Sequence, residues 1–130
     1  MNKTCLVDLR EGDVLGPLVV PVSAEASDRY WRAAGIDHPA RVAGRLYPPM
    51  AANLTILLLQ TEVAEPVLHT AHRLTCHGAA GAGVDLTVTG RVTERFVRRG
   101  REYAVLDAVV ALPSGEVLWS STATFTPVAT

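Results

Sequence analysis

Between Val84 and Val97 apolar and polar side chains alternate, with Val84, Leu86, Val88, Val92 and Phe96 on one parity and Asp85, Thr87, Thr89, Arg91 and Arg95 on the other. A period of two marks a half-buried strand, so this segment turns one face to a core and the other to water. Three further segments read as strands: Leu68 to His77, Glu102 to Leu112 and Glu116 to Thr126. Glycine and proline separate the four, in Gly78 to Gly83, Arg98-Arg99-Gly100-Arg101 and Pro113-Ser114-Gly115, where chain reversals need their backbone freedom or rigidity. Earlier in the chain, Leu15 to Val22 is apolar and β-branched, framed by Gly12-Asp13 and Ser23, and predicts a first strand.

The period changes after Ser23. Its hydroxyl is placed to cap the amides of Glu25 or Ala26, Glu25 suits a first helical turn, and Gly35 supplies a left-handed stop after Ala33-Ala34. From Gly35 to Pro49 the chain carries Pro39, Pro48 and Pro49 with little apolar periodicity, and predicts a loop of the structured kind that carries function. Pro49 then opens a second helix, and Met50 to Gln60 follows without a charge. A helix apolar all round must be buried on nearly every side. Half-apolar strands and a wholly apolar helix fit together as a curved antiparallel sheet wrapped around a central helix, an α+β domain spanning residues 1–130. A generic α+β sandwich is the alternative arrangement.

At 130 residues and 48% hydrophobic, the chain has material for one core and too little for two typical domains. Twelve basic and 13 acidic residues give a net charge of -1, which offers no footprint for nucleic acid or for an anionic membrane. The longest uncharged stretch, Leu46 to Thr61, is shorter than the roughly 20 residues that cross a bilayer. No apolar run follows Met1 to Cys5, so no secretory leader is expected and the expected location is cytoplasmic. Cys5 and Cys76 have no partner spacing and read as reduced thiols. His69 and His77 on one strand would be about 26 Å apart at roughly 3.3 Å per residue, and His72, of the other parity, would point to the opposite face. No metal site and no cofactor are expected.

The stretches Tyr30-Trp31-Arg32-Ala33-Ala34-Gly35-Ile36-Asp37-His38-Pro39 and Gly44-Arg45-Leu46-Tyr47-Pro48-Pro49-Met50 resemble the loop and helix entry of MaoC-like acyl-thioester dehydratases and hydratases. So do Leu68-His69-Thr70, Gly90-Arg91-Val92, Arg99-Gly100-Arg101 and Ala123-Thr124-Phe125 in the β half. The resemblance implies a hot-dog fold and an acyl thioester of coenzyme A or acyl carrier protein whose chain lies beside the central helix. It also implies a homodimer, or a heterodimer with a second hot-dog protein. Active members read Gly-Asp-x-Asn-Pro-x-His in this loop. Aligned on Gly35 and Pro39, the aspartate falls on Ile36 and the histidine on Arg41, neither of which is an acid or base near neutral pH. The usual His-Gly-Met helix entry, where a backbone amide stabilises the thioester oxyanion, is here Pro48-Pro49-Met50, and proline has no amide hydrogen. A Pro-Pro entry is similar to that of the family's non-catalytic halves.

Asp37 and His38 are the remaining catalytic candidates, one position off the usual register: His38 as base at the carbon next to the thioester, Asp37 as acid at the leaving hydroxyl. The bland reading makes them a loop turn, with Asp37 capping and His38 exposed. Tyr47, Met50 and Asn53, at the helix entry, are the substrate-binding candidates. Three functions follow as alternatives: (de)hydration of a 3-hydroxyacyl or enoyl thioester through this displaced dyad, a non-catalytic acyl-binding subunit paired with a catalytic homologue, or a hot-dog thioesterase or tailoring enzyme.

Overall fold

The computed structural model describes residues 3, 5–35 and 37–128. Five strands form one antiparallel sheet: β1 (Val14–Val22), β2 (Val67–Cys76), β3 (Val84–Arg98), β4 (Arg101–Ala111) and β5 (Val117–Pro127). Their order across the sheet is β1-β3-β4-β5-β2. Each strand matches its expected segment to within a residue or so at either end. The neighbours of β2 differ from what the short Gly78 to Gly83 link suggests. β2 pairs with β5 at one edge, while β3 pairs with β1 near the other. The link therefore crosses the end of the sheet, held where Leu46 N–H donates to Ala80 O and Ala82 N–H to Gly44 O, both at 2.9 Å.

Helix α1 (Ala24–Ala34) begins as its sequence dictates, with the Ser23 hydroxyl accepting from Ala26 N at 3.1 Å, and ends at Gly35 in the left-handed conformation. A four-residue helix, α2 (Pro39–Val42), interrupts the expected loop. Helix α3 (Met50–Glu62) lies across the concave face of the sheet. It buries Met50, Ala51, Leu54, Leu58 and Leu59 against Leu86, Val88 and Val92 of β3, Leu106 and Val110 of β4, and Trp119 and Phe125 of β5. Each buried Leu, Val, Met or Phe among these contributes about 1.5–3 kcal/mol by leaving water. The helix is not buried on nearly every side, as its composition led us to expect. Asn53, Leu57, Gln60 and Thr61 form an exposed stripe, Leu57 at 43%. Absence of charge does not require burial, and here a flank of uncharged polar residues with one leucine stands open.

Two β-bulges reverse the side-chain parity read from the sequence. In β3 the register shifts between Val92 and Glu94, so Arg95 lies opposite Ala104 and Phe96 opposite Tyr103. Phe96, expected on the core face, instead stacks on Tyr103 at 4.9 Å with Arg98 above its ring. Arg95, expected in water, is turned toward the N-terminal segment and donates to Val7 O at 2.9 Å and to Leu9 O. That segment, a 3₁₀ turn at Leu6–Asp8 that the sequence pattern did not suggest, adds Leu6 and Leu9 to the core. In β2 the shift lies between His69 and Ala71, which brings His69 and His72 to the same face, with ring centres 5.1 Å apart. The expected opposition of these two histidines is thereby corrected, because one extra residue in a bulge cancels the odd spacing.

Candidate functional site

The site predicted from sequence lies where α1, α2 and the start of α3 meet, and Trp31 organises it. Its indole is buried at 6% exposure, with Nε1 donating to Arg45 O at 2.8 Å. One side of the ring stacks with His38 at 5.9 Å and 11°, and another meets Tyr47 edge-on at 4.8 Å and 67°. Trp31 is thus the post against which two candidate side chains are set. Asp37, His38, Pro39, Val42 and Ala43 line an open hollow of about 570 Å³. Asp37 and His38 are both exposed at its rim.

His38 also has a structural task. Its Nδ1 accepts the Ala40 N–H at 3.0 Å and so caps α2. An imidazole that accepts through Nδ1 carries its neutral-form proton on Nε2. To take a further proton it must give up the cap. The cap expected of Asp37 is therefore supplied by its neighbour.

Arg41, aligned with the family's histidine, is turned away from the hollow. Its Nε donates to Asp28 Oδ1 at 2.7 Å and its Nη2 to Oδ2 at 3.4 Å, while Arg32 Nε lies 3.1 Å from the same carboxylate. The Arg41 hydrogen bond is the main cause holding the Asp28 carboxyl below its ordinary pKa, against some desolvation, with the charges of Arg41 and Arg32 assisting. Asp28 holds Arg41 protonated in return, and Asp37 adds to that field. Nothing in the spacing of Asp28 and Arg41 announces this pair; it exists because α2 folds back beside α1. Ile36 lies outside the described residues.

At the entry of α3 the backbone donors are committed. Pro48 and Pro49 have none. The amides of Met50, Ala51 and Ala52 donate to Tyr47 O, Pro48 O and Pro49 O at 3.1, 3.0 and 3.2 Å. A helix N-terminus ordinarily leaves its first amides free for an anion, and this one does not. Of the three substrate-binding candidates, Tyr47 is half-buried against Trp31, Met50 is enclosed in the core at 1% exposure, and Asn53 is exposed on the open stripe of α3. The structure brings Asp37, His38 and, through Trp31, Tyr47 into one neighbourhood, and leaves Met50 and Asn53 apart from the hollow.

Among the described residues no group of three or more His, Cys, Asp and Glu is placed to hold a metal ion, and no helix is long and apolar enough to cross a membrane.

A curved five-stranded antiparallel sheet wrapped on one central helix is the hot-dog fold. Solved structures that share this fold with the chain include dehydratases and a hydratase. The truncated HadBC (3R-hydroxyacyl-ACP dehydratase) complex from Mycobacterium tuberculosis has a chain matching with a TM-score of 0.77 at 18% identity, covering 89% of this chain and 96% of that one. A MaoC-like dehydratase from Rhodospirillum rubrum matches at 0.74 and 18%, covering 98% of both chains. An (R)-hydratase from A. caviae involved in PHA biosynthesis matches at 0.76 and 16%, covering 93% and 98%. No protein-family model and no curated protein matches the sequence.

Proposed function

We propose that this chain is an acyl-thioester-binding hot-dog subunit that holds a coenzyme A or acyl-carrier-protein thioester and relies on a partner for (de)hydration. The observation that carries this reading is the entry of α3. With Pro48 and Pro49 lacking amide hydrogens and the Met50, Ala51 and Ala52 amides already bonded, no first-turn donor stands ready for a thioester oxyanion. Losing one such donor typically costs about 10²–10³ in rate. Arg41, held by Asp28, supplies no base. The unpaired edge of β2 and the exposed stripe of α3 leave an incomplete surface, suited to a second hot-dog chain, identical or homologous, in the cytoplasm. The HadBC match is to a chain of a complex, which supports the pairing.

The test compares hydration of crotonyl and longer enoyl thioesters by the chain alone, by a co-encoded catalytic hot-dog homologue alone, and by the mixture, with calorimetric binding of the same thioesters. We expect the chain alone to bind and not to turn over, and the mixture to exceed the homologue alone. Comparable turnover by the chain alone would sink the proposal.

A second reading is favoured by one specific observation: Asp37 and His38 line the same hollow. In it, His38 takes the proton next to the thioester after releasing its cap on Ala40, Asp37 protonates the leaving hydroxyl, and Tyr47, on the other side of Trp31, meets the substrate, while Met50 and Asn53, apart from the hollow, take no part. Turnover by the chain alone that vanishes in both His38→Asn and Asp37→Asn would establish it.

A further inference from the structure

His69 and His72 stand on the core-facing side of β2, an edge strand, opposite Phe125 and Ala123 of β5. The bulge that sets them side by side leaves their rings near-perpendicular, at 79°, with centres 5.1 Å apart. His69 stacks on Phe125 at 4.8 Å and 23°, so the core fixes its ring on the far side. Three of the four ring nitrogens, His69 Nε2 and both nitrogens of His72, are buried without a hydrogen-bond partner. Buried polar atoms are normally satisfied, and a cluster of unsatisfied ones needs an explanation. Ring packing accounts for where the imidazoles lie but leaves those nitrogens idle.

We propose that His69 and His72 form a bidentate imidazole site for a borderline transition-metal cation of the Zn²⁺ or Cu²⁺ class. An ion about 2.0–2.1 Å from one nitrogen of each ring lies roughly 3.2 Å from each ring centre, and a tetrahedral angle then sets the centres about 5.2 Å apart, close to the separation found. A neutral imidazole keeps a lone pair on one ring nitrogen, and three of the four ring nitrogens here have no hydrogen-bond partner to occupy it. His77, just past the end of β2, is already engaged with Ser120 Oγ at 2.7 Å and takes no part. Two ligands leave the remaining coordination positions to water or to donors of another molecule.

The site is tested on the full chain by calorimetric titration with Zn²⁺ and by electron paramagnetic resonance of the Cu²⁺-loaded protein. We expect one ion per chain and a Cu²⁺ spectrum showing two coupled nitrogens. His69→Phe, which keeps a ring on Phe125, and His72→Phe should each weaken Zn²⁺ binding at least about tenfold, since a chelate reduced to one ligand loses its effective concentration. Cys76→Ser and His77→Ala should leave binding unchanged. Should a Phe variant fail to fold, ring ¹⁵N shifts of the wild-type histidines decide instead, and Zn²⁺ must perturb those of His69 and His72. Absence of binding by the wild type, undiminished binding in both Phe variants, loss of binding in Cys76→Ser, or perturbation confined to other histidines would overturn the proposal.

Discussion

Leu58 of α3 lies against Gly90 of β3 so closely that a Cβ on Gly90 would come 3.1 Å from Leu58 Cδ2 and 3.0 Å from Leu106 Cδ1. Beneath the same leucine, a Cβ on Gly16 would fall 2.7 Å from the backbone oxygen of Val88, and Gly16 also has φ +87°. The central helix reaches the sheet because these two positions have no side chain. At Gly90 the neighbours are leucine side chains that can give a little, so Gly90→Ala should cost about 1–3 kcal/mol. Gly16→Ala meets backbone and a left-handed φ together and should cost more. Urea unfolding of both variants ranks them; a Gly16→Ala protein as stable as wild type would contradict this account of how the helix is seated.

Leu58 and its neighbour Leu57 should respond differently to the same change. Leu58 is fully enclosed and Leu57 is 43% exposed. Leu58→Asp buries a charge without a partner and should cost several kcal/mol. Leu57→Asp should stay within about 0.5 kcal/mol in a dilute, monomeric sample. Light scattering of wild type should give about twice the chain mass at micromolar concentration. If the stripe of Asn53, Leu57 and Gln60 is covered by a second hot-dog chain, Leu57→Asp should shift that mass toward one chain.

His38 can be divided into its cap and its imidazole. His38→Ala removes the acceptor for Ala40 N–H and should destabilise the α2 segment by about 0.5–2 kcal/mol. Asparagine restores a good capping acceptor without a base. We expect His38→Asn to retain both stability and acyl-thioester binding, measured by thermal melting and calorimetry.

Stability should fall below neutral pH through His69 and His72. Desolvation lowers both pKa values, with the Ala71 backbone opposing it at His69 and the charge of His69 assisting it at His72. A histidine whose folded pKa lies below its unfolded value binds fewer protons when folded, so stability rises with pH across the interval between the two. The contribution is fully present above the unfolded value of about 6.5. It is lost progressively as pH falls from there through the folded values. Urea midpoints at pH 8 and pH 5.5 should differ more for wild type than for the His69→Phe/His72→Phe double variant; equal differences would show that these rings do not couple to folding.

The strands, the Ser23 cap, the Gly35 stop and the helix opening at Pro49 are legible because each depends on residues adjacent in the chain: a period of two, a hydroxyl before a helix, a glycine after one, a proline without an amide. The departures at Arg41 and at Pro48-Pro49 are legible for the same reason, as plain chemistry at known positions. The bulges in β2 and β3 are a different matter. A bulge is a property of two strands in register, and neither Thr70 nor Thr93 carries a local signal for one, so Phe96, Arg95 and the His69 and His72 pair change faces only when β5 and β4 lie alongside. The same holds for Trp31 between His38 and Tyr47, for Asp28 holding Arg41, and for the flank of α3 left open by the sheet. Sequence by itself determined which segments are strand or helix and which chemistry is missing at the helix entry. Tertiary structure alone decided which side chains meet, because the extra residue of a bulge and the folding back of α2 act between segments far apart in the chain.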